Sequence, residues 1–169
     1  MKIKFLLPVA CIAILAACNS SSDKKENKED SAMNKTDTMH HMPGPGVNIP
    51  DLPQVPEGAK VFFKNLEDDA KISSPFKLEM GTEVIRIDTA GPVVAGSGHH
   101  HLFIDAEDSL AAGTVVPKDS AHIHFGKGQT EYELNLTPGK HKLTLQMADG
   151  LHRSYGSKLA ATITVKVKK

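Results

Sequence analysis

Glu131-Tyr132-Glu133-Leu134-Asn135-Leu136-Thr137-Pro138-Gly139-Lys140-His141-Lys142-Leu143-Thr144-Leu145-Gln146-Met147 is the stretch from which the fold can be read. Tyr132, Leu134 and Leu136 alternate with polar residues, as a strand buried on one face requires. Thr137-Pro138-Gly139-Lys140 suits a type II turn, with Pro presetting the first central φ and Gly accepting a positive φ at the second. His141, Leu143, Leu145 and Met147 then alternate back, and Asp149-Gly150 turns the chain again. The same texture extends outward. Val61-Phe62-Phe63 is β-prone, Phe76, Leu78 and Met80 alternate, and Val84 to Ile87 reads as a further strand. Ile163, Val165 and Val167 close the chain as a last strand. Glu107 to Ala112 is expected to form one or two turns of helix in a longer connection. Short strands with no sustained helical period predict an all-β domain, an antiparallel β-sandwich of immunoglobulin-like topology. The Cys-Trp-Cys core of antibody domains is missing, so strand count and turns carry that expectation.

Upstream of this domain the composition changes twice. Lys2 and Lys4 precede an apolar run from Phe5 to Ala17, too short to span a bilayer and typical of an export signal. Leu15-Ala16-Ala17-Cys18 resembles the lipobox of bacterial lipoproteins, which implies lipidation of Cys18 and cleavage before it. The membrane is then a partner through lipid at Cys18, and Asn19 after it favours the outer membrane. Residues 18–58 read as a tether: Ser, Lys and Glu first, then Pro-rich from Met42 to Pro56. About forty such residues would span on the order of 35 Å. The expected organisation is a signal peptide over 1–17, a lipidated disordered tether over 18–58 and a β-sandwich over 59–169.

Among 169 residues of zero formal net charge there is no Trp, which speaks against nucleic-acid binding and sugar stacking. The two cysteines are Cys11, lost with the signal, and Cys18, which would carry lipid. A mature chain without free thiols has no disulfides, thiolate metal sites or cysteine nucleophiles. Any metal must be held by His, Met, Asp or Glu.

Histidine is the distinctive residue. Five of the nine lie in Gly98-His99-His100-His101-Leu102-Phe103-Ile104-Asp105 and Ala121-His122-Ile123-His124-Phe125-Gly126. Side chains two apart on a strand share a face, so each run offers two imidazoles side by side. His99, His101, His122 and His124 are the expected ligands of a copper or zinc ion, copper before zinc, with His100 and His152 as second choices. Asp105 is expected to orient a ligand. Met39-His40-His41-Met42 is a candidate copper-capture run or a plain polar spacer. His141, in line with Leu143, Leu145 and Met147, is expected to be hydrogen-bonded rather than metal-bound.

Those two His runs, the following Gly126-Lys127-Gly128-Gln129-Thr130-Glu131, the Pro138-Gly139-Lys140-His141 turn and His152 together resemble a bacterial family catalogued only as domain of unknown function 4399. The resemblance covers Lys60 to the C-terminus. It implies a small envelope β-domain and brings no activity with it.

Three functions remain open from residues alone. One is a lipid-anchored envelope module that binds a transition metal through histidine. Another is a structural or adhesion module whose histidines are metal-free and hydrogen-bonded. The third, catalysis by water on a three-His zinc, lacks support from any nucleophile elbow, His-Glu-x-x-His or phosphate loop.

Overall fold

The computed structural model describes residues 48–169. Cys18 and the Met39 to Met42 run lie outside the described residues. The pattern of alternating residues becomes two sheets. β1 (Lys60–Phe63), β3 (Phe76–Glu83) and β7 (Glu131–Leu134) form an antiparallel sheet in the order β1-β3-β7. The larger sheet runs β2 (Ala70–Ile72), β9 (Ala160–Val167), β8 (Gly139–Ala148), β5 (Ser97–Ile104), β4 (Arg86–Ile87), with β6 (His122–His124) also on β5. Antiparallel pairing dominates, with short parallel contacts where β2 meets β9 and β4 meets β5. The domain is all-β: its described residues include no α-helix, only a 3-10 turn at Ser157–Leu159.

One core lies between the two sheets. Leu78, Met80 and Leu134 meet Leu102, Leu143, Leu145, Met147 and Val165, all fully or almost fully buried. Leu143, Leu145 and Met147 share a face because they are two apart on β8. Leu52 and Val55, expected in the tether, pack against this core.

The other face of the larger sheet is also covered, and that decides where the histidines sit. Phe103 and Ala148 form a second, smaller core with Val116, Ala106 and Leu110 from the connection between β5 and β6. Glu107 to Ala112 is irregular rather than helical. Leu110 is drawn down onto the sheet, and its N–H donates to Gln146 Oε1 (3.2 Å) instead of to a backbone carbonyl one turn earlier. The Val84 to Ile87 strand is shortened to Arg86–Ile87, because Val84 has φ of 65° and breaks the extended run.

Gln146 fastens this cover. Its buried amide donates toward the carbonyls of Met147 (3.2 Å), Gly156 (3.1 Å) and Leu159 (3.1 Å) while its oxygen holds Leu110. Stranding buried partners costs more than the net value of a hydrogen bond. Gln146→Leu is therefore expected to destabilise the domain by about 1–3 kcal/mol in urea denaturation. Its amide hydrogen exchange should rise first over Ala106 to Val116.

Candidate metal centre

β5 is buried on both sides along nearly its whole length. Alternation sends Leu102 into the main core and His99, His101 and Phe103 to the covered outer face. The antiparallel register pairs His101 with His124 and Phe103 with His122. His101 and His124 thus become cross-strand neighbours, their rings stacked with centroids 5.0 Å apart. On the other side His99 pairs with Ala148, the last residue of β8, where the chain turns at Asp149.

That turn supplies a fourth imidazole. Asp149, fully buried, accepts through Oδ1 from the N–H groups of Leu151 (2.9 Å) and Arg153 (2.9 Å). Its Oδ2 accepts from Arg153 Nε (2.8 Å), and its carbonyl accepts from His152 N–H (2.9 Å). So wound, the turn holds His152 at φ 65°, in the left-handed region that non-glycine residues adopt uncommonly. Arg153 also donates to the Pro50 carbonyl (2.8 Å), fastening the start of the described chain beside the turn.

Two glycines make room. A β-carbon at Gly126 would overlap the His124 ring, and one at Gly150 would overlap the carbonyls of Gly91 and Pro92. The Ala90 to Gly91 segment is bonded to both loops, with Ala90 N–H to the Gly126 carbonyl (2.8 Å) and Gly91 N–H to that of Gly150 (2.9 Å).

The four rings converge. His99 Nε2 and His101 Nε2 are 3.1 Å apart, and His124 Nε2 and His152 Nε2 are 3.2 Å apart. Ring centroids over the six pairs lie between 4.7 and 6.0 Å. Two nitrogens bound at about 2.0–2.1 Å to one tetrahedral ion stand about 3.3 Å apart. The ligand atoms of His99, His101 and His124 all fall within 4.8 Å of one another and can hold a metal ion. His99 and His101 are buried, His124 is exposed, and His152 is half-buried, so the cluster reaches the surface on one side.

Burial sets the charge state. It pushes His99 down to about 4, with the His124 and His152 imidazoles adding to the effect, and His101 down to about 2, helped by His99 and His124. His124 is lowered by burial, His152 and Lys118. A neutral imidazole keeps a lone pair free, which is the form a metal takes.

His122 is not in the cluster. It shares the face with His124 as expected, but its cross-strand neighbour is Phe103, whose ring it meets edge-on at 4.6 Å. Both its nitrogens are taken, Nδ1 by Asp119 (2.7 Å) and Nε2 by Glu107 (3.2 Å). His152, a second choice in the sequence, stands in its place. His100 faces the main core, as alternation requires, and neither of its ring nitrogens has a partner. Asp105, expected to orient a ligand, instead bonds His141 Nδ1 (2.7 Å) and Lys142 N–H (2.8 Å) at the far end of β5. His141 is accordingly hydrogen-bonded, and its Nε2 donates to the Thr137 carbonyl (2.9 Å).

Residues 78–168 match the model of a family described as Domain of unknown function (DUF4399). The chain belongs to that family. The match takes in every ring of the cluster and both glycines that clear space for them. No curated protein and no solved structure matches the chain.

Acid should loosen this DUF4399 domain. Burial holds His100 at about 4, with His99 and Lys64 adding to it, so His99, His100 and His101 all stay neutral where unfolded imidazoles protonate, near 6.5. Below that value the unfolded chain binds more protons, so stability falls as pH drops from about 6.5 toward 4, at about 1.4 kcal/mol per pH unit for each such histidine. His141 has the opposite sign: burial lowers it, but the Asp105 hydrogen bond, the Thr137 carbonyl and the Asp105 charge raise it overall, so its stabilisation is present in acid and fades above its folded value. Urea midpoints of metal-free protein should fall steeply between pH 7 and pH 5. His100→Leu, which removes two unpartnered buried nitrogens, should raise the midpoint at pH 5 and flatten the slope.

Proposed function

We propose that this chain is a lipid-anchored cell-envelope module whose four-histidine centre, His99, His101, His124 and His152, holds one transition-metal ion, copper before zinc. The observation that supports it is the pair of Nε2 separations, 3.1 and 3.2 Å, close to the span of two ligands on one ion. An all-imidazole set suits copper and zinc, and at a given nitrogen site copper(II) binds more tightly than zinc. Two rings come from residues two apart on one doubly covered strand, which holds them in place, one from the end of the paired strand β6 and one from the turn after β8, and these last two lie nearer the surface.

The envelope location rests on the sequence. Leu15-Ala16-Ala17-Cys18 supports lipidation at Cys18 and anchoring to a membrane, the outer membrane before the inner, with the domain in the periplasm or at the cell surface. Among the described residues no helix is long and apolar enough to cross a membrane. Residues 19 to 47 supply the length that would lift the domain from the lipid.

A second reading has its own support. Both short Nε2 contacts also fit N–H···N hydrogen bonds between neutral imidazoles, which would make the centre a metal-free structural element of an envelope scaffold. His99 Nδ1 is buried with no partner under either reading.

Metal analysis of the purified mature protein separates the two. One equivalent of copper or zinc per chain is expected, lost in the His99→Ala/His101→Ala double variant. His152→Ala should weaken binding at least tenfold, Gly126→Ala should do so by displacing the His124 ring, and His122→Ala should leave affinity within about threefold. No retained metal, or equal loss in His122→Ala and His152→Ala, would leave the scaffold reading standing.

A further inference from the structure

One flank of the histidine cluster is not covered by protein. A cavity of about 360 Å³ opens beside it, walled by His101, His124 and His152 on one side and by Val115, Val116, Pro117, Lys118 and His122 on the other. His99 does not reach this space, so the opening faces the three other rings. The volume is that of roughly twelve water molecules at about 30 Å³ each, room for a small ligand and too little for a peptide.

The chemistry of the wall narrows what fits. Val115, Val116 and Pro117 are apolar. His122 contributes only the body of its ring, because Asp119 and Glu107 already occupy both nitrogens. Lys118 is different. It is exposed, lines the same cavity as His124, and makes no ion pair among the described residues. The acidic residue beside it, Asp119, is turned to His122. The cavity thus has one free positive group, a short apolar wall and the metal-facing edges of three imidazoles.

We infer that this cavity admits a small monoanion, of the size of azide or a short-chain carboxylate, which binds the metal through its charged end with Lys118 as counter-charge. The inference rests on the metal-binding reading and adds to it that the centre is open to an outside ligand. An ion held by four nitrogens can expand to five-coordinate, which would admit such a ligand from the open side. The charge of Lys118 acts through solvent on one side, so its contribution is to be read at low salt and shrinks within a Debye length as salt rises.

The test uses the mature protein loaded with one equivalent of copper(II) and titrated with sodium azide at low ionic strength. A saturable azide-to-copper charge-transfer band is expected. Lys118→Gln should weaken azide binding at least threefold and Lys118→Glu at least tenfold, with copper affinity unchanged within twofold in both. Added salt should weaken azide binding to the parent protein and much less to Lys118→Gln. Copper retained by four nitrogens with no azide band, or equal azide affinity in all three proteins, would overturn this inference and leave the metal centre intact. Failure to retain copper at all would remove both, and copper analysis before the titration tells the two failures apart.

Discussion

A strand covered on both faces is the constraint from which the candidate centre follows. β5 gives its Leu102 side to the main core and its His99, His101 and Phe103 side to a second layer formed by the Ala106 to Val116 connection. A histidine on an exposed strand face would be solvated, mobile and titrating near its ordinary value. Here the same residue type is dry, fixed by its neighbours and neutral. The cost of removing imidazoles from water is real, and it becomes useful only if something takes their lone pairs.

Register then does the assembly. Because His101 lies opposite His124 and His99 opposite the end of β8, two partners arrive from two sides of one strand. The β8 end turns immediately through the buried Asp149 carboxylate, which accepts from Leu151, Arg153 and the Arg153 side chain and so folds His152 back over His99. Neither Asp149 nor Arg153 hydrogen-bonds a ring of the cluster, yet the place of the fourth imidazole depends on the turn they hold. Buried ion pairs earn stability only when every lone pair is used, and this one uses them on the loop that carries a candidate ligand.

Much of the fold was legible because period-two alternation survives wherever one face is buried. Tyr132, Leu134, Leu143, Leu145 and Met147 all fall in or against the main core as their spacing indicates. Glu107 to Ala112 misled because helix-compatible composition says nothing about a sheet face waiting to be covered; Leu110 follows burial rather than propensity. His122 misled for a related reason. Its face was read correctly, but whether it meets a histidine or Phe103 depends on a register between strands eighteen or more residues apart. His152 carries no strand pattern of its own, and its sequence signal was its place in the family resemblance, just after the Asp149-Gly150 turn.

By itself the sequence determined the alternation, hence an all-β domain, and the histidine pairs that share a face on each of two strands. It also carried the family resemblance and the Cys18 signal that bears on location. Only the tertiary structure decided which imidazoles meet, since cross-strand register and loop path are set by the packing of many residues at once and by the space left at Gly126 and Gly150. Side-chain direction is a local property of the chain, while convergence at a point is a property of the packed whole.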